Sequence, residues 1–209
     1  MSMSALSNTK NTPHTILGLV PDMPDTVYHG MKDLSKSAID LLLDCPARYK
    51  AWLDSVESAP TDAMAFGSMC HKLILEPETF DEEYAVTSHP GNTKIGKEYR
   101  AEMRRNGLNV VDKKHYDVAV AMAEAVRSHP QAKHLFAHEE TLTETAFFWS
   151  ESGIRCKGKA DIITENPSGL YVGDIKTCEC ASLEHISKAM GDCLYHRQAA
   201  WYLRGLRSV

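Results

Sequence analysis

The 209-residue chain has no apolar run approaching the roughly 18 residues of a membrane-spanning helix, and its opening MSMSALSNTKNTPH lacks the apolar stretch of a secretion signal. A membrane partner is therefore not expected, and the cytoplasm is the expected compartment. Internal repeats and low-complexity tracts are also missing, which sets aside solenoid and fibrous architectures. Nor is there an excess of positive charge: 23 Lys and Arg stand against 28 Asp and Glu, so charge alone announces no nucleic-acid partner. It does not exclude one, because an enzyme that cleaves phosphodiesters gathers carboxylates around cations. What is present is a globular composition, 43% hydrophobic and 24% charged, sized for one domain with an arm. The six cysteines (45, 70, 156, 178, 180 and 193) read as free thiols in a reducing compartment.

Residues 1–30 are rich in Ser, Thr, Asn and Pro and read as a mobile arm, with the folded domain over 31–209. Ser37 and Asp40 have capping-box spacing ahead of a helix that runs to Cys45-Pro46 and resumes over 47–53. Further helices are expected over 66–75, 94–105 and 113–128, and residues 78–93 read as strand or loop. After Thr141 the pattern turns β-prone. Strands are expected over 144–149, 154–164 and 170–177, joined by turns at Glu151-Ser-Gly153 and Asn166-Pro-Ser-Gly169, and a long helix over 182–206 follows.

The second hairpin carries a geometric consequence. Symmetric pairing about Pro167 and Ser168 matches residues whose numbers sum to 335, which sets Asp161 opposite Asp174 with β-carbons about 5 Å apart. Lys176 projects on the same face and Ile175 on the other. Lys176 could merely neutralise a surface acid pair. The apolar neighbours Ala160, Ile162, Ile163, Val172 and Ile175 argue instead for a partly buried carboxylate pair that needs a cation, and Mg²⁺ with oxygen ligands fits.

Gly158-Lys-Ala-Asp161 followed by Asp174-Ile-Lys176 resembles the G-x-x-D and D-x-K pair of the PD-(D/E)XK nucleases in their RecB-like branch. Phe66-Gly-Ser-Met-Cys-His71 resembles that branch's histidine-bearing helix, and Gln198-Ala-Ala-Trp-Tyr202 its Q-x-x-x-Y helix. Leu34-Ser-Lys-Ser-Ala-Ile-Asp40, Cys45-Pro-Ala-Arg-Tyr49 and Tyr195-His-Arg-Gln198 are similar to the recombination exonucleases of the exodeoxyribonuclease VIII (RecE) type, of prophage origin. The resemblance covers about residues 28–209.

It implies an α/β (α+β) restriction-endonuclease-like core: a mixed central sheet flanked by helices, with the last strands of that core expected beyond the helix that ends this chain. It implies a Mg²⁺-dependent exodeoxyribonuclease, Mn²⁺ substituting, that degrades the 5′ strand of linear double-stranded DNA for recombination and repair. A ring-shaped homo-oligomer and a RecT-type single-strand annealing protein are the implied partners. Asp161, Asp174, the Ile175 carbonyl and His71 would hold the metal, while Lys176 orients the attacking water and Gln198 and Tyr202 hold the lysine or the DNA backbone. Glu144, at the start of its strand, is either an outer or second-metal ligand or an ordinary strand-end acid. Lys97, Arg100 and Arg104 at i, i+3, i+7 either track phosphates or form a solvated basic face. Two alternatives stay open: a decayed, prophage-derived DNA-binding or assembly module, and an iron–sulfur nuclease, which Cys45-Pro invites and the lack of cysteines after Tyr202 opposes.

Overall fold

The computed structural model describes residues 16–55, 60–136, 140–166 and 169–209. In chain order the elements are β1 (Gly18–Val20), α1 (Asp25–Gly30), α2 (Lys36–Asp44), α3 (Pro46–Leu53), α4 (Asp62–Leu75), α5 (Phe80–Glu83), β2 (Tyr84–Thr87), α6 (Lys94–Arg105), β3 (Asn109–Asp112), α7 (Lys113–Ser128), β4 (Leu142–Glu151), β5 (Ile154–Asn166), β6 (Gly169–Gly173), α8 (Leu183–Asp192) and α9 (Tyr195–Leu206). A four-stranded sheet has the order β1-β4-β5-β6, with β1 antiparallel to β4 and β6 antiparallel to β5. Parallel pairing occurs in the separate β2–β3 pair and at the Leu34–Cys156 bridge. This is the expected α/β architecture of a sheet with helices around it.

The chain divides into two compact units. The first gathers the described residues of Met1–Glu57 with Thr145–Lys159 and Lys188–Val209. Here the fold begins earlier than the composition indicates. Gly18–Val20 pairs with Ala146–Phe148, and Tyr28 is buried beside Phe148 and Met23. Lys157 ties this segment to β5: its buried ammonium donates to the Tyr28 and Met31 carbonyls, both at 2.6 Å, so the end of α1 helps to satisfy a buried charge. Residues 1–15 of the expected arm lie outside the described residues.

Helix α2 is capped by Ser35, whose hydroxyl accepts from the Ala38 amide, rather than by Ser37 two residues on. The long helix expected over 182–206 is two helices, because Leu194 takes a left-handed φ of 54°. The carbonyl of Cys193, released by that break, accepts from Lys36 at 2.8 Å, and Asp40 pairs with both Lys36 and Arg197. Thus α9 is tied to α2 by residues of two separate sequence motifs. Gly158 and Gly205 are required by packing: a Cβ on Gly158 would lie 2.2 Å from the Phe147 ring, and one on Gly205 would lie 2.6 Å from both Phe147 and Trp149. Gly158→Ala is expected to destabilise the protein by roughly 1–3 kcal/mol, as overpacking of a filled core does. Equal urea midpoints for variant and parent would contradict this packing.

The second unit comprises Ser58–Glu144 and Ala160–Ser187. Ala119 and Ala123, one turn apart on α7, let that helix approach α4, whose Met69, Cys70, Leu73 and Ile74 form the centre of the core. Arg127, in the last turn of α7, donates to the Ile74 carbonyl at 2.6 Å and so satisfies one of the free carbonyls that end α4. Helices α6 and α7 have the bounds their apolar spacing predicts. Strand β3, four residues long, escapes the sequence patterns and pairs in parallel with β2.

Candidate metal centre

The hairpin register that places the site is the predicted one. Asn166 pairs with Gly169, and the ladder continues through Glu165–Leu170, Thr164–Tyr171 and Ile163–Val172 to Ile162–Gly173, every sum being 335. The turn residues Pro167 and Ser168 lie outside the described residues. The next pair would be Asp161–Asp174, but β6 ends at Gly173. The reason is local: the Asp161 carboxylate accepts the Ile175 backbone N–H at 2.5 Å, taking a donor that would otherwise extend the ladder. The segment after Gly173 still alternates. Asp174 and Lys176 face outward as an ion pair, while Ile175 packs into the core of this unit.

Three elements meet around Asp161. Thr61 caps α4 by accepting from the Met64 amide, so the helix starts four residues before the expected Phe66. It carries His71 one turn after Gly67, and at Gly67 an added Cβ would lie 3.2 Å from Thr177 Oγ1. The glycine therefore makes room for the chain that leaves Lys176. Strand β5 supplies Asp161, which is 8% exposed between fully buried Ala160 and Ile162. Strand β4 supplies Glu144, whose φ of 44° is left-handed within a strand. That conformation costs a non-glycine residue on the order of 1–3 kcal/mol and re-aims its side chain. His71 Nδ1 lies 3.9 Å from Glu144 Oε1 and 3.7 Å from Asp161 Oδ2, and the donor atoms of all three fall within 4.8 Å of one another.

This donor set suits a divalent cation. Bonds of about 2.0–2.2 Å to carboxylate oxygen or imidazole nitrogen span such separations, and two carboxylates neutralise the charge. The electrostatics agree. Burial pushes the Asp161 carboxyl up from 3.8 to about 6; His71 and the Ile175 amide oppose the rise, and the negative charges of Asp174 and Glu144 add to it. For His71, burial disfavours protonation, yet the nearby carboxylates of Glu144 and Asp161 prevail and raise it. A cation among these groups would offset the repulsion among the carboxylates and take the place of the His71 proton.

Of the residues expected to ligate, His71 and Asp161 lie in one group. Glu144, evenly balanced on sequence grounds, joins them, and a strand-start glutamate has no sequence signal for the backbone turn that does this. Asp174 is outside the tight group and is held by Lys176, although its charge still acts on Asp161. Gln198 and Tyr202 are on α9 in the first unit, where Gln198 Nε2 donates to Tyr202 Oη at 2.9 Å and the phenol ring meets Phe147 edge-on. In the basic row of α6, Lys97 and Arg104 are exposed, but Arg100 is not available in the same way. Its guanidinium donates to Asp112 at 2.5 Å with the side chain only 15% exposed, which anchors α6 to β3.

The family model of a PDDEXK-like domain of unknown function (DUF3799) matches residues 35–209. The chain belongs to this family. The match includes every residue of the group just described, and with the sheet and its helices it gives the chain a restriction-endonuclease-like fold. No curated protein matches the chain. Membership of a PDDEXK-like family points to nuclease-type chemistry, and such domains typically use divalent metals. Among the described residues no helix is long and apolar enough to cross a membrane.

Proposed function

We propose that this protein is a Mg²⁺-dependent exodeoxyribonuclease of the RecE type, with Mn²⁺ as an effective substitute, acting on linear double-stranded DNA. The observation that carries the reading is the meeting of His71, Glu144 and Asp161 beside the Asp174–Lys176 pair. His71, Glu144 and Asp161 would hold the cation, with the Ile175 carbonyl and Asp174 as further oxygen donors. When bound, the cation supplies Lewis acidity toward water and toward the scissile phosphate. Lys176 donates from Nζ to a non-bridging phosphate oxygen and orients the attacking water, which offsets the charge that grows as the new P–O bond forms. Asp174, paired with the lysine, keeps its ammonium aimed. Asp161, held by the Ile175 amide, is fixed in direction before substrate arrives, so little reorganisation accompanies reaction.

Digestion of the 5′ strand, 3′ tails passed to a RecT-type annealing protein, and a ring-shaped homo-oligomer are supported by the wording of residues 34–40, 45–49 and 195–198. Gln198 and Tyr202 would hold the DNA backbone, and Lys97 and Arg104 would add phosphate contacts. The test is digestion of end-labelled linear duplexes blocked by phosphorothioates at the 5′ or the 3′ ends, beside a closed circle. With Mg²⁺, release of nucleotides is expected from the open and the 3′-blocked duplex only, and none with EDTA. Cutting of the circle would make the protein an endonuclease. Release from the 5′-blocked duplex alone would reverse the polarity, and binding without any release would leave a DNA-binding module.

A further inference from the structure

Thr143 and Glu76 lie outside the group that meets at Asp161, yet each is bonded next to it. Thr143 precedes Glu144, the residue whose backbone is left-handed, and its hydroxyl donates to Glu76 Oε1 at 3.3 Å. Glu76 is the residue that ends α4, five positions after His71, and its amide closes the helix on the Lys72 carbonyl at 2.8 Å. Its other oxygen, Oε2, accepts from Lys72 at 2.8 Å, and Lys72 also reaches Glu83 Oε1 at 2.6 Å with its side chain 10% exposed. Lys72 therefore fixes the rotamer of Glu76 and leaves Oε1 directed at Thr143. Two elements that carry neighbouring donor residues, α4 with His71 and β4 with Glu144, are in this way joined by one polar chain: Glu83, Lys72, Glu76, Thr143.

We propose that Glu76 and Thr143 are positioning residues for the metal centre, clamping the start of β4 to the end of α4 so that Glu144 keeps the left-handed backbone that turns its carboxylate toward His71. The inference rests on the metal-dependent reading above and extends it from the ligands to what aims them. A strand residue relaxes to an extended backbone when nothing opposes it, and then its side chain leaves the face it was turned to. Here the hydroxyl one residue earlier is pinned. Groups of this kind, which touch no metal, commonly change metal affinity by 10- to 100-fold.

The experiment is Mn²⁺ binding to the full chain, read by electron paramagnetic resonance of free Mn²⁺, for the parent, Thr143→Val, Thr143→Ser, Glu76→Ala and Asp161→Ala, with folding checked by circular dichroism at the same temperature. Thr143→Val and Glu76→Ala are expected to weaken binding roughly tenfold, and Thr143→Ser, which keeps the hydroxyl, to restore it to within about twofold of the parent. Raising Mn²⁺ should recover cleavage in Thr143→Val, since Lys176 and the ligands are intact. Asp161→Ala separates the two claims. If it abolishes binding while Thr143→Val and Glu76→Ala bind like the parent, the clamp is overturned and the metal centre stands. If Asp161→Ala binds like the parent, both are overturned. A lowered melting temperature in Thr143→Val with parental Mn²⁺ affinity would assign the bond to stability alone and likewise overturn the clamp.

Discussion

Lys176→Ala is expected to lower Mg²⁺-dependent cleavage of linear duplex by roughly 100- to 1,000-fold, the scale on which enzymes lose rate when one charge-stabilising donor is removed. Its Mn²⁺ affinity should stay near the parent's. The split follows from the geometry: Lys176 is outside the His71, Glu144 and Asp161 group and half-exposed, so its loss removes a donor to the phosphate without removing a ligand or opening the core. Rate at saturating metal and metal affinity are measured separately on one preparation. Undiminished cleavage by the variant would remove Lys176 from the chemistry.

Asp161→Asn is expected to raise the melting temperature of the metal-free protein at pH 7 by roughly 5–10 °C. Burial holds this carboxyl near 6 in the folded chain against 3.8 for the ordinary group, so the folded state binds the proton more tightly than the unfolded state does. The stability linked to that proton is fully present below about pH 4 and is lost as the pH rises through about 6. A rise of about two pH units is worth about 3 kcal/mol, which corresponds to the stated temperature change for a chain of this size. Asparagine keeps an oxygen for the Ile175 amide and carries no charge. The advantage of the variant should vanish near pH 4, and excess Mg²⁺ should narrow it at pH 7 by stabilising the parent alone. Parallel pH profiles for the two proteins in chelator would mean that Asp161 is not the strained charge.

The hairpin was legible because a tight turn fixes register by counting, and the register places Asp161 and the Asp174–Lys176 segment without any knowledge of the tertiary fold. The counting could not show that the Asp161 side chain intercepts the Ile175 amide and ends the ladder one pair early, since that depends on a rotamer. His71 was legible through the resemblance of Phe66-Gly-Ser-Met-Cys-His71 to a histidine-bearing helix, in which the missing Cβ of Gly67 admits Thr177. Glu144 was half legible: its place at a strand start is in the pattern, but its left-handed backbone arises from bonds to residues far away in sequence. The break at Leu194 was hidden for a similar reason, because the carbonyl it frees is satisfied by Lys36, 157 residues earlier. Arg100 fits a basic helical row by spacing, and only the position of Asp112 shows it to be a structural anchor.

Whether His71, Glu144 and Asp161 hold one divalent cation is tested most directly by crystals soaked in Mn²⁺ and measured at the manganese absorption edge. An anomalous peak is expected within about 2.0–2.4 Å of His71 Nδ1 or Nε2, a Glu144 oxygen and an Asp161 oxygen together. A peak bound elsewhere, or full Mn²⁺ binding in solution with no peak among these three side chains, would contradict it.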